Sequence, residues 1–488
     1  AHPNEEALIS PPLDLSQPRR IHVIGVGGSG MSAIATVLTA MGHVVSGSDM
    51  RASPVLDRLK ARGLAVSSGH EAANVADVDL VVLSTAVPLD NPEVVAAEHH
   101  GIRVLRRAEI LAGICATRPT IAVAGTHGKT TTTALLAVAL GEGGVGSSFI
   151  VGGEVHGLGG GGAWGADGWF AVEADESDGT FLELAADAVI VTNVEPDHLD
   201  HYGSFAALRK AFAMFLAEAP GPRVVCVDDP VAAELVAELG PDKPCLTYGT
   251  SASAGYRMVD VELARNGVAF TLEHGSSERM AKAIGRFHLP LPGMHNARNA
   301  AGAAVAALAL GSSVEAIARS FAGFSGVARR FEQRGEVAGI SFVDDYAHLP
   351  TEVSAALAAA RSGGWRRVVC VFQPHRYTRT AALSGDFASA FGEADQLIVT
   401  EIYAAGQQPI PGVSGKLIAD AVSAWAHEHG SGPDVAWIPD REDVRRYLTS
   451  ELRAGDLCLT LGAGDLTTLP DELIEHVERT HDATTEQS

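Results

Sequence analysis

Residues 120–140 read TIAVAGTHGKTTTTALLAVAL, and this stretch decides the fold. Thr120–Ala124 is a short apolar run of the kind that forms a strand buried on both faces. Gly125-Thr126-His127-Gly128 is a glycine-rich turn, and the residues from Lys129 onward are patterned as a helix. Strand, turn, Gly-Lys-Thr and helix together form a phosphate cradle. Backbone N–H groups of Gly125–Thr131 hold phosphate oxygens, Lys129 reaches the β/γ groups, and the Thr130 hydroxyl binds Mg²⁺. The spacing departs from the standard P-loop, since Val123 stands where the first glycine would be. A plain glycine-rich strand–helix turn is the competing reading, and lysine usage weighs against it. Only six of the 36 basic residues are lysines (Lys60, Lys129, Lys210, Lys243, Lys282 and Lys416), so one inside this loop is not background. ATP binding is the expectation.

A matching acidic set lies downstream. Glu173-Ala174-Asp175-Glu176-Ser177-Asp178 follows the apolar WFAV, and Asn193-Val194-Glu195-Pro196-Asp197-His198-Leu199-Asp200-His201 follows AVIVT. Both segments leave strand ends, on the edge where doubly wound sheets bind ligands. Glu173 and His198 are therefore expected to complete Mg²⁺ coordination with Thr130. For Asp178 and Asp200, capping of a following helix is the stronger reading. A zinc hydrolase built on His198 and His201 ranks below magnesium, which the phosphate loop already implies.

Outward from the loop, apolar runs alternate with helix-patterned stretches: 21–25, 80–84, 188–192, 367–372 and 396–400. That alternation predicts an α/β protein of βαβ units with mostly parallel sheets. Breaks near Ala116–Pro119 and Gly323–Gly326, with 488 residues in all, divide the chain into three expected domains. These span 1–118 (Rossmann-like), 119–325 (central, P-loop-type ATPase) and 326–488 (Rossmann-like), each large enough for its own core. A hairpin is expected at Asn266-Gly267, a mobile loop at Gly157–Gly162, and a frayed tail over the last ten residues.

The net charge of −23 excludes a protein that coats nucleic acid or anionic lipid. No apolar run approaches the roughly 20 residues of a spanning helix, and residues 1–20 lack a signal-peptide layout. The five cysteines are too scattered for a disulfide framework. A soluble cytoplasmic protein, monomer or homodimer, is expected.

A second glycine loop, Gly25-Val26-Gly27-Gly28-Ser29-Gly30, follows IHVI and opens a helix pattern, with Asp49 19 residues beyond Gly30. It fits the dinucleotide fingerprint. On its own it serves NAD or another diphosphate, such as a nucleotide-sugar, equally well.

Read together, the blocks GVGGSGMSAIA, AGTHGKTTTTALLA, EADESDGTF, VTNVEPDHLDHYGS, GMHNARNAAGA, RRFEQRG, DDYAHLPTEV and FQPHRYTRT resemble the ATP-dependent Mur ligases of bacterial cell-wall synthesis. They stand in family order from about residue 20 to 465. The resemblance implies that the first glycine loop holds a UDP-sugar, with Ser29, Gly30, Met31, Asp49, Ser84 and Thr85 lining that site. It also implies that His295, Asn296 and Asn299 contact the adenine and ribose side of ATP, and that Arg330 and Asp345 close over ATP. Tyr346, His348, His375, Arg376 and Arg379 fall on the acyl and amino-acid side, with His348 a candidate base. The implied substrates are UDP-N-acetylmuramate and L-alanine, with ATP and two Mg²⁺ ions, in peptidoglycan precursor synthesis and hence in cell shape and division. Two departures stand out: Leu349 replaces a second histidine of the family pattern, and Lys210 falls short of the position where sister ligases carry a carbamylated lysine.

The implied chemistry activates the lactyl carboxylate as an acyl phosphate, which the amine of alanine then attacks. Three alternatives stay in view: a different Mur-type ligase, a NAD-dependent dehydrogenase, and a nucleotide-binding regulator without chemistry.

Overall fold

The computed structural model describes residues 13–84, 86–177, 179–275 and 282–485. Its first sheet has five parallel strands: β1 (Arg20–Ile24), β2 (Val44–Asp49), β3 (Ala65–Ser68), β4 (Leu80–Leu83) and β5 (Arg103–Arg106). Their spatial order is β3-β2-β1-β4-β5, so the order reverses at β1. Ile24 lies beside Ser48 on one side and Leu83 on the other. The glycine loop that leaves β1 therefore opens at the switch point, where an α/β sheet takes its ligand.

Ten strands follow: β6 (Thr120–Ala124), β7 (Ser148–Val155), β8 (Gly160–Ala163), β9 (Phe170–Glu173), β10 (Ala188–Val191), β11 (Arg223–Cys226), β12 (Leu246–Gly249), β13 (Tyr256–Ala264), β14 (Gly267–His274) and β15 (Lys282–Leu289). Their order is β15-β14-β13-β12-β11-β10-β6-β9-β7-β8. β6 is flanked by β10 and β9, both parallel to it, and every residue of β6 is buried. The hairpin expected at Asn266-Gly267 joins β13 to β14.

The third sheet holds β16 (Glu332–Val337), β17 (Ile340–Asp345), β18 (Arg367–Phe372), β19 (Gln396–Val399), β20 (Asp434–Trp437) and β21 (Asp456–Leu461), in the order β16-β17-β21-β18-β19-β20. Only β16 runs antiparallel to its neighbour; the others pair in parallel. In this register Asp345, Leu461 and Phe372 lie side by side, so the residues that follow them share one sheet edge.

Three sheets do not make three separate cores. The chain forms two compact units, one of residues 1–259, 271–287 and 299–324, the other of 260–270, 288–298 and 325–488. One apolar cluster in the first unit runs from Val23, Met31 and Ile114 through Ile150 and Phe170 to Phe212 and Phe215, spanning the first two sheets. The glycine run explains how. Of Gly157–Gly162, expected as a mobile loop, Gly160–Gly162 instead belong to β8, paired antiparallel with β7. A side chain at Gly162 would meet the backbone of Ala33 at 2.7–3.2 Å. Glycine there lets helix Ser29–Ala40 lie directly on the hairpin. The expected frayed tail is also corrected, since the last helix, Leu469–Thr485, continues through most of it. Residues 486–488 lie outside the described residues. The exposed Lys210 sits on helix Phe205–Glu218, and Phe212, near the carbamylation position, is wholly buried against Phe181 at 5.3 Å.

The first sheet carries a buried polar knot. Glu93, fully buried, accepts from Ser48 Oγ at 2.6 Å and Asn74 Nδ2 at 2.6 Å, and lies 2.9 Å from His70 Nδ1. Burial pushes its pKa up, but the hydrogen bonds from His22, Ser48 and Asn74 outweigh it, and the carboxyl titrates at about 2 rather than 4.5. The folded state thus binds fewer protons than the unfolded one between those values. The stabilisation is complete above the unfolded pKa and fades as pH falls toward the folded one. Glu93→Gln is expected to cost about 3 kcal/mol in urea unfolding at pH 7. The gap from wild type should narrow steadily below pH 4.5.

Candidate functional site

The register of the central sheet assembles the phosphate-loop site. Glu173 pairs with Val123 and Ala124 with Val191, so loop 125–131, the acidic segment 173–177 and the segment from Thr192 leave one edge together. Gly125 has φ +140°, and a side chain there would fall on the Thr192 hydroxyl. Gly128, at φ +81°, sits against the Asn299 side-chain amide and ends the turn; helix Lys129–Glu142 begins immediately after it. Asn193 locks the loop: its Oδ1 accepts the His127 N–H at 2.8 Å and its Nδ2 donates to the His127 carbonyl at 3.0 Å. Thr126 N–H donates to the Asn193 carbonyl, and the Glu195 N–H donates to Thr126 Oγ1 at 2.9 Å.

Lys129 lies folded back on this loop. Its ammonium donates to the carbonyls of Gly125 (2.7 Å) and Thr126 (3.3 Å) and to Glu176 Oε1 (2.8 Å), which uses all three of its protons. Burial alone would lower the Lys129 pKa, but Glu176, Asp175 and Glu173 reverse the sign and raise it. Glu176 is 1% exposed; burial raises its pKa against the pull of Lys129, and its Oε2 has no hydrogen-bond partner among the described residues. An anion entering this loop would compete with Glu176 for Lys129. Breaking a buried pair is costly, so Glu176→Gln should destabilise the free protein by about 3 kcal/mol. Added ATP should then raise its thermal midpoint more than it raises that of wild type.

The donor set at this edge fits a magnesium ion. Thr130 Oγ1 donates to Glu173 Oε1 at 3.0 Å, and Glu173 Oε2 accepts the Gly152 N–H at 2.6 Å, so hydroxyl and carboxylate oxygens already converge. His198 occupies a left-handed conformation (φ +53°), with Nε2 3.2 Å from Asp197 Oδ2. Among the described residues no three His, Cys, Asp or Glu side chains cluster closely enough to hold a metal by themselves. Thr85 and Asp178, named from the sequence, lie outside the described residues.

At the first glycine loop, Asp49 Oδ2 accepts the Gly27 N–H at 2.9 Å and so braces the turn. Ser84 packs against Gly25, Ser29 and Gly30 open the helix, and the Met31 side chain is buried in the core, leaving only its backbone for a ligand. An open cavity of about 220 Å³ adjoins the loop, lined by Gly27, Ser29, Ser32, Arg58, Arg62 and Gly160 among others.

In the second unit the residues after β17 and β18 meet. Asp345 accepts the N–H groups of Phe331 and Ala347, both at 2.7 Å. Burial nonetheless pushes its carboxyl up to about 6, against Arg330 and those donors. Arg329 and Arg330 lie over the Tyr346 ring at 4.9 and 5.1 Å. His348 Nδ1 lies 3.0 Å from the Tyr346 carbonyl, which requires a proton on Nδ1, and 3.3 Å from Glu352 Oε2. His375 Nδ1 lies 3.1 Å from Arg379 Nη1, and its ring stacks on Tyr403 at 5.8 Å. Burial, reinforced by His348, Arg379 and Arg376, drops its pKa to about 3, so it is neutral and accepts the Arg379 hydrogen bond. His295 is likewise held neutral, at about 4, by burial and by Arg298 and Arg330. Asn296 Nδ2 donates to the Pro292 carbonyl at 2.8 Å. The residues that sequence reasoning did not single out are Glu176, Asn193, Arg107 and Tyr403. Asn193 stood inside a quoted segment, but nothing in its spacing signals that it closes a loop 66 positions earlier.

Three α/β sheets and a glycine-rich loop whose lysine faces strand-end carboxylates form the scaffold of a nucleotide-binding protein. The chain belongs to the Mur ligase family. Residues 20–118 match the family model described as Mur ligase family, catalytic domain; 169–307 match the Mur ligase middle domain; 329–464 match the Mur ligase, glutamate ligase domain. The chain is 44% identical over 470 residues to the UDP-N-acetylmuramate–L-alanine ligase of Anaeromyxobacter dehalogenans (strain 2CP-1 / ATCC BAA-258), covering 95% of this chain and 99% of that one. It is 44% identical over 463 residues to the enzyme of the same name from Myxococcus xanthus (strain DK1622), covering 94% and 96%. Its fold matches the crystal structure of UDP-N-acetylmuramate-alanine ligase from Thermotoga maritima with a TM-score of 0.78 at 28% identity, covering 95% of this chain and all of that one.

Proposed function

We propose that this protein is an ATP-dependent ligase that joins L-alanine to the lactyl carboxylate of UDP-N-acetylmuramate, in peptidoglycan precursor synthesis. The observation that carries the reading is Lys129, partly buried at the mouth of a phosphate loop, together with near-full-length similarity to ligases bearing that name. Residues 1–118 would take the UDP-sugar, 119–325 ATP, and 326–488 the amino acid. A cytoplasmic site follows from ATP as co-substrate. Among the described residues no helix is long and apolar enough to cross a membrane.

Lys129 leaves Glu176 to neutralise charge on the transferring phosphoryl group, and the first turn of helix Lys129–Glu142 orients the phosphates. Thr130 and Glu173, with His198, would hold magnesium, as one ion or two; bound there, it supplies Lewis-acid neutralisation of the phosphate oxygens. The lactyl carboxylate oxygen bonds to the γ-phosphorus and ADP leaves. The amine of alanine then bonds to the acyl carbon and phosphate leaves. His348, with its proton on Nδ1, offers Nε2 as the base for the amine proton. Arg376 and Arg379 bind the alanine carboxylate, Arg379 being steadied by neutral His375.

The acyl phosphate can be tested directly. With a heavy-oxygen-labelled lactyl carboxylate, one labelled oxygen should appear in the released phosphate. Unlabelled phosphate would refute the intermediate.

A further inference from the structure

We infer that Arg107 is a positioning residue for the nucleotide-sugar, holding its diphosphate against the first turn of helix Ser29–Ala40. The inference rests on the reading of the first glycine loop as the UDP-sugar site.

Arg107 is the first residue of helix Arg107–Cys115. A cation at that end opposes the helix dipole and weakens the helix slightly. Its neighbour Arg106 is paired to the carboxylates of Glu109 and Glu183 at 3.6 and 3.7 Å. Arg107 differs. Among the described residues its ion-pair partner is Asp175, with Oδ2 at 3.6 Å, too far for a hydrogen bond. Its Nε is buried and has no hydrogen-bond partner among the described residues. An arginine donor left in that state is costly unless an acceptor arrives.

The place where one would arrive is set by Gly30. A methyl group built on Gly30 would lie 3.4 Å from the guanidinium carbon and 3.5 Å from both Nε and Nη2. The guanidinium therefore lies beside the opening turn of helix Ser29–Ala40, whose first N–H groups have no intrahelical acceptor. Backbone donors and a planar fork of N–H groups beside them make a diphosphate clamp. Asp175 steadies the arginine from the other side, and Asp175 stands one residue before Glu176, the partner of Lys129. Occupancy of the sugar site thereby touches the acidic segment of the ATP site through one side chain.

The test is calorimetric titration of the full-length wild type, Arg107→Gln and Arg107→Lys with UDP and, separately, with uridine. Arg107→Gln is expected to weaken UDP binding about 10- to 100-fold while leaving uridine binding unchanged. Arg107→Lys, which keeps the charge and loses the fork, should fall between. Equal loss for uridine and UDP would show a structural role and overturn the inference, as would unchanged UDP affinity in Arg107→Gln. Failure of the wild type itself to bind UDP would sink the glycine-loop reading and this inference together.

Discussion

Lys129→Ala is expected to lower ATP-dependent turnover by about 10³-fold, the scale seen when a preorganised donor to transition-state charge is removed. The Lys129 ammonium makes two hydrogen bonds inside the loop and a third to Glu176, a carboxylate that lies almost wholly out of solvent. Lys129→Arg should not rescue it, because the turn that receives a compact ammonium does not fit a planar fork. Saturating ATP should not restore the rate, since the contact strengthens as charge develops in transfer. Steady-state phosphate release at saturating substrates, with thermal unfolding as a check on folding, measures this. A nucleotide-binding regulator would show only weakened ATP binding.

The second large effect concerns Arg376, which has φ +70° and ψ 136°, a conformation glycine adopts far more readily than other residues. The strain is held in place by two backbone hydrogen bonds across the neighbouring strand end: Arg376 N–H to the Tyr403 carbonyl at 2.9 Å, and Tyr403 N–H to the Pro374 carbonyl at 2.8 Å. Backbone strain of this kind costs about 1–3 kcal/mol and collects at binding sites. Arg376→Gly is therefore expected to stabilise the protein by about 1 kcal/mol in urea unfolding. The same change should reduce kcat/KM for L-alanine by about 10²-fold through loss of a charged hydrogen-bonding partner. Arg376→Ala should lose the activity without gaining the stability. Opposite signs in one variant separate strain kept for binding from ordinary destabilisation.

The sequence exposed those parts of the fold that local patterning can encode. β1, β4, β6, β10, β18 and β19 were visible as apolar runs, and the phosphate loop as Gly-Lys-Thr after a strand. β8 was invisible because Gly160-Gly161-Gly162 has no side chains to alternate; glycine there serves contact with Ala33, far away in the chain. The shared core of the first two sheets was hidden for a similar reason, since Met31 and Phe170 carry no mark of packing into one cluster. Ionisation was also out of reach. That His375 is neutral depends on burial and on three neighbouring cations and a histidine, none of which its own position announces. Nothing in the sequence around Arg107 sets it apart from the other arginines. Its importance arises only where the end of one sheet is set against the loop of another strand.

The most direct measurement of the central claim is phosphate release from ATP by the full chain, with UDP-N-acetylmuramate and a panel of amino acids. The account predicts release that requires both the UDP-sugar and an amino acid, is highest with L-alanine, and yields the amide in equal amount. Release favouring D-glutamate, or proceeding without any amino acid, would contradict it.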